Sequence, residues 1–189
     1  MFLKKFVMAL IIMFVAVFFL GCGKKETPGE NNDKGGDKKA NETKTETVKG
    51  KTPEQLGENY GNEAHKLYLD ALKELTAIIK DKPEPSDVEE KVKELKETYI
   101  KKFVELGRKR EALEKAGKDM YDKVLADAIV NKTASTEIYK AYNEANKQYF
   151  GVNQNFFKLT NSFNIITQYS DFELLKKQEP KEAERLGIK

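Results

Sequence analysis

An all-α fold, an up-down four-helix bundle behind a disordered N-terminal tether, is what this sequence predicts. Three observations carry the prediction. From residue 53 onward, apolar side chains recur at steps of three and four, the period of one helix face. Proline, glycine and capping residues divide that stretch into four runs of similar length. Ahead of it, residues 23–52 contain no aromatic residue and only Ala40 and Val48 as apolar ones, too little to offset the entropy of ordering a chain.

The first helix opens at Thr52-Pro53-Glu54-Gln55. Thr52 can cap, Pro53 suits the first turn, and Gln55 stands where a capping box needs it. Tyr60, Ala64, Leu67, Ala71, Leu75 and Ile78 form one stripe on a helix running to about Lys80. Asp81-Lys82-Pro83-Glu84-Pro85 breaks it. Ser86 and Glu89 offer a second capping box, and Val92, Tyr99, Phe103 and Leu106 lie on the stripe that follows. So short a break between long helices implies an antiparallel hairpin. Gly117 is the expected stop. A third run extends from about Lys118 to Phe150, kinked or divided at Asn131–Ser135, with Gly151 ending it. Asn153 can cap a fourth helix reaching about Lys177, before Pro180.

The chain has 189 residues, enough for one domain with appendages; 34% are charged and 39% apolar, which is ordinary for a soluble protein. A single cysteine forms no internal disulfide, so packing must hold the fold. The net charge of +3 includes Lys4 and Lys5, which fall in a segment expected to be removed. The remainder is close to neutral, and nucleic acid is not an expected partner.

That removable segment has three parts. Lys4 and Lys5 supply a positive start, Phe6–Leu20 is an unbroken apolar run, and Gly21 is the small residue at the cut. The run is short of the roughly 20 residues of a membrane-spanning helix. Phe19-Leu20-Gly21-Cys22 resembles the lipobox of bacterial lipoproteins. Gly21 and Cys22 match. Phe19 and Leu20 depart from the usual Leu and small residue, as relaxed lipoboxes of spirochaete lipoproteins do. The resemblance covers the first 22 residues and implies a diacylglycerol on the Cys22 thiol, a cut just before it, and further acylation such as palmitate. One acyl chain alone binds membranes only reversibly, so two or more make physical sense. The alternative is an uncleaved apolar anchor. Gly23 follows where enteric lipoproteins retained at the inner membrane carry Asp, so the outer membrane is favoured, facing periplasm or cell surface. The plan is then residues 1–21 as signal peptide, 22–52 as lipidated cysteine and linker, and 53–189 as helical domain. A random coil of the linker's length spans roughly 30 Å.

No catalytic constellation stands out. His65, the one histidine, lies on the flank of the first helix with Glu63 poorly spaced for a shared ligand face, and no metal site is expected. Glu-x-x-His, the mark of a carboxylate metal centre in a bundle, is absent. Gly107-Arg108-Lys109-Arg110 is the densest basic spot, diluted by Glu105, Glu111 and Glu114. Glu97 with Lys101, and Arg110 with Glu114, have the spacing of ion pairs on solvated helix faces. Tyr139, Tyr142 and Tyr149 are expected at the core edge with hydroxyls reaching water.

The fourth helix carries the most information. Phe156, Leu159, Phe163, Ile166 and Leu174 fall on one face, while Ile165, Tyr169 and Phe172 fall on nearly the opposite one. One apolar stripe is enough for a bundle helix. The second is expected either to be covered by the tail through Leu186 and Ile188 or to be an exposed partner patch. Three functions follow: a non-enzymatic interaction module binding a protein or envelope component, a small-ligand binder with an aromatic pocket between helices, or an envelope hydrolase. Apart from the covalent lipid on Cys22, no cofactor is expected.

Overall fold

A computed structural model describes residues 50–189. Among them the chain is all-α, with seven α-helices and no strand. Helix α1 (Pro53–Ile79) begins as its sequence dictates: Thr52 Oγ1 accepts from Gln55 N at 3.3 Å, and Gln55 Oε1 accepts from Thr52 N at 2.9 Å. Its buried surface is wider than one stripe. Tyr68, Leu72 and Ile79 are buried alongside Ala64, Ala71 and Leu75, because α1 is the central helix, packed by neighbours on several sides.

Helix α2 (Pro85–Glu111) starts one residue before Ser86. Pro85 occupies the first helical position, so Ser86 sits inside the first turn and bonds Asp87 instead of closing a capping box with Glu89. The helix stops at Glu111 rather than at Gly117. Gly117 lies inside α3 (Lys115–Asp127), buried where that helix crosses α1.

The expected division of the third run is present. A π turn (Ala128–Lys132) and a 3-10 turn (Thr133–Ser135) separate α3 from α4 (Glu137–Lys147). The fourth run is also divided. Asn153 Oδ1 caps α5 (Gln154–Asn161), accepting from Phe156 N at 2.9 Å. A nine-residue 3-10 segment (Ser162–Ser170) follows, then α6 (Phe172–Gln178) and α7 (Pro180–Arg185). Among the described residues there are therefore two long helices and five shorter ones, not four of similar length. Asp171, bonding Leu174 N through its side chain, restarts the helix after the 3-10 segment. α1 packs against α2, α3 and α4, and α2 packs against α5 and the 3-10 segment.

Candidate functional site

The structure separates the three residues of the second apolar stripe. Ile165 is 55% exposed, Tyr169 is 7% exposed, and Phe172 is half-buried. A helix would have kept them on one face; the 3-10 segment and the break at Asp171 do not. Phe172 is lodged against Gly107, where an added Cβ would lie 2.5 Å from its ring. Tyr169 lies under the C-terminal tail, its hydroxyl pushed up to about 12 by burial, with the Glu182 carboxylate of α7 adding to the shift. Leu186 and Ile188 pack onto the core, and Arg185 clasps Glu97 of α2 through two contacts of 3.1 Å. The single exposed patch of Ile165, Tyr169 and Phe172 is corrected accordingly: Tyr169 lies under the tail, Phe172 is half-buried against α2, and Ile165 faces out.

His65 is half-buried, its Nε2 3.0 Å from Thr133 Oγ1. That hydroxyl donates to Ala128 O at 3.1 Å, so the imidazole must supply the proton from Nε2. The bond ties α1 to the 3-10 turn that follows the π turn. Burial and then the nearby Lys132 hold the imidazole below its usual range. Among the described residues no carboxylate hydrogen-bonds His65, and no group of three or more His, Cys, Asp or Glu is placed to hold a metal ion.

The basic spot on α2 breaks up. Lys109 meets Glu63 of α1 at 3.1 Å. Arg110, only 8% exposed, holds Asp122 of α3 through Nε and Nη2, both at 2.8 Å, and contacts Glu111 at 2.6 Å. Neither Arg110 with Glu114 nor Glu97 with Lys101 pairs, since Arg110 is taken by Asp122 of α3 and Glu97 by Arg185 of α7. A bidentate arginine clasp of this kind fixes helix orientation.

Tyr139 is half-buried at the core edge as the sequence predicts, whereas Tyr142 and Tyr149 sit deeper. Tyr142 and Tyr149 are fully buried. Tyr142 Oη donates to Thr160 O at 3.2 Å and accepts from Asn146 and Asn164 at 3.3 and 3.0 Å. Thr160 Oγ1 donates to Asn146 Oδ1, and Tyr68 Oη reaches Asn164 Oδ1 at 3.5 Å. Every buried side-chain N and O among the described residues has a partner, so this network specifies packing and offers no free group to a ligand. Two open grooves mark the surface, one between α1 and α2 beside Ile78 and Leu95, the other between Arg108 and Lys176 near the C-terminus.

The sequence reading missed the turn between α4 and α5. Phe150 is 56% and Val152 72% exposed. The backbone makes this possible at Gly151, whose φ of 79° is the left-handed conformation that favours glycine. Beneath lie Tyr149 and Phe156, an edge-on aromatic pair with centroids 4.7 Å apart; above them Phe150 and Phe157 repeat the arrangement at 5.3 Å. The inner pair is buried; of the outer pair Phe150 faces out and Phe157 is half-buried against the core. Tyr149 Oη donates to Pro83 O at 3.0 Å, which sets this knuckle beside the α1–α2 turn. It thus occupies the end of α1 opposite Pro53, across 27 residues of helix, or about 40 Å. The available signal was Phe150-Gly151-Val152: two apolar residues around a glycine in a turn. Cys22 and residues 1–49 lie outside the described residues. The sequence matches no family model, no curated protein and no solved structure.

Proposed function

We propose that this protein is a membrane-anchored lipoprotein of the bacterial envelope, held by lipid on Cys22, that displays a helical interaction module on a tether. The module is read as non-enzymatic. One observation carries the interaction reading: the knuckle of Phe150 and Val152, backed by the half-buried Phe157, stands at the end of the domain opposite the one where the chain enters. Exposed apolar side chains grouped on a rigid base are uncommon on a soluble surface and mark contact sites. Here the base is the buried Tyr149–Phe156 pair. The outer membrane remains the favoured location, on the grounds of Gly23 following Cys22.

Cells fed an alkyne-bearing fatty acid test the anchor. The wild-type chain is expected to take up the tag and to sediment with membranes, and Cys22→Ser to do neither. Tagging of the Cys22→Ser chain would remove the lipid from this residue. Sedimentation of an untagged wild-type chain would favour the uncleaved apolar anchor.

A further inference from the structure

The Ser162–Ser170 segment is unusual for its length. 3-10 runs longer than three or four residues are uncommon, because their hydrogen bonds are poorer than those of an α-helix. This one has nine residues. From Gln154 to Ser170 the chain holds no proline and no glycine, so no residue bars an α-helix continuing from α5. What holds the 3-10 form is packing. Phe163, Ile166 and Tyr169, at steps of three, are all buried, and the segment lies along α2. Tyr121 Oη of α3 donates to Ser170 Oγ at 2.7 Å, and Ser170 Oγ donates to Thr167 O at 2.8 Å. Beyond Asp171, α6, α7 and the tail to Ile188 form a strap. Phe172 pins it at Gly107, and Arg185 pins it on Glu97 through contacts of 3.1 Å.

The docked strap and an α-helical segment exclude each other. As an α-helix the segment is about 4–5 Å shorter than as a 3-10 helix, and its far end is rotated by about half a turn. Phe163 and Ile166 face the core in either form, because a step of three stays near one side of both helices. Tyr169 does not. In α geometry it joins the face of Ile165 and Phe172, at steps of four and three. Phe172 must then leave the notch at Gly107, and Arg185 must leave Glu97. We propose that Ser162–Ser170 is a two-state element that governs release of the strap. It is 3-10 while Phe172–Ile188 lies on α2, and α-helical, continuous with α5, when the strap lifts. The docked contacts offset the poorer 3-10 hydrogen bonds. Lifting the strap loses those contacts and gains the better bonds of an α-helix, so opening costs less than the contacts alone would suggest. The core anchors Phe163 and Ile166 survive the change, which confines it to the C-terminal part of the domain.

The test is NMR on the isotopically labelled full chain, purified from cells in a mild detergent. In the wild type a cross-peak from Phe163 Hα to the Ile165 amide, i to i+2, marks the 3-10 form. Relaxation dispersion should show residues 162–188 exchanging together with a minor state, populated on the order of 1%. Gly107→Ala sets a methyl 2.5 Å from the Phe172 ring and 3.0 Å from Ser170 O, while alanine favours the α2 helix itself. It should raise the released state on the order of tenfold or more. In that state the Phe163 Hα cross-peak should run to the Thr167 amide, i to i+4, and the contacts of Arg185 with Glu97 should vanish. Arg185→Glu, which leaves the buried face of α2 untouched, should move the same residues toward the same shifts by a smaller amount. Flat dispersion across 162–188 in the wild type overturns the switch. So does a lifted strap whose segment stays 3-10 or turns to coil, and so does an α-helical segment with the strap still docked. If Gly107→Ala unfolds the whole domain, seen as loss of the α1 amides, Arg185→Glu decides alone, and unchanged shifts there overturn the proposal.

Discussion

α1 meets its neighbours in two different ways. Toward the Pro53 end it crosses α3 through glycines. A Cβ on Gly57 would lie 2.1 Å from Gly117 O, and one on Gly117 would lie 2.7 Å from Pro53 O. Farther along, α1 meets the α4–α5 half through Tyr68 and the network of Tyr142, Asn146, Thr160 and Asn164. The first contact is selective because backbones touch, and any other residue or register collides. The second is selective because each polar group finds its partner only in one arrangement. The difference maps onto the proposed roles: the glycine crossing secures the end where the chain enters, and the network secures the half that carries the knuckle.

Gly57→Ala is the most direct way to break the comparison. The new Cβ meets a backbone oxygen that has no rotamer to yield, so α1 and α3 must part. Overpacking costs typically 1–3 kcal/mol, and this substitution is expected near the top, about 3 kcal/mol, read as a lowered urea midpoint. A loss below about 1 kcal/mol would mean that the two helices slide apart easily, and the crossing would not be selective. Thr160→Val addresses the other side. It keeps the volume and removes the hydroxyl proton that Asn146 Oδ1 accepts. A buried acceptor left unpaired costs about 1–3 kcal/mol, so the expected loss is smaller than at Gly57. If Thr160→Val were neutral, water would be reaching Asn146, and packing alone would hold that half.

The fold class was legible because helical periodicity and the caps at Thr52 and Asn153 are local signals. So was the division near Asn131–Ser135, where polar and β-branched residues interrupt a run. What was not legible depended on partners distant in sequence. Gly117 looks like a stop until Gly57 is found against it. Arg110 looks solvated until Asp122 arrives from α3. Tyr169 and Phe172 look like a free stripe, because the 3-10 geometry of Ser162–Ser170 leaves no mark in the period of the preceding residues. The knuckle was missed for a related reason: Gly151 reads only as the end of a helical run, and its left-handed turn, which leaves Phe150 and Val152 exposed, shows only in three dimensions.

The smallest expected effect lies at the joint between the two halves, where His65 of α1 holds Thr133, the start of the 3-10 turn between α3 and α4. Burial and Lys132 lower its pKa from 6.5. The unfolded chain therefore takes up a proton at about pH 6.5, before the folded one does. Stability is then full above that value, falls as pH drops from about 6.5 through the folded pKa, and levels off below it. The bond to Thr133 survives protonation, since Nε2 donates in both forms, so the slope comes from surroundings unfavourable to the charge. His65→Gln can keep a donor toward Thr133 and removes the titration. Urea midpoints compared at pH 7 and pH 5 should converge for the variant while the wild type loses stability. Asp127, Glu173 and Glu182 also have lowered pKa values, from 3.8, 4.5 and 4.5, so their losses fall mainly below about pH 4.5 and leave this window to His65. Equal slopes in wild type and His65→Gln would show that the joint carries no proton-linked strain, and the two halves would then differ only in the two packing devices already compared.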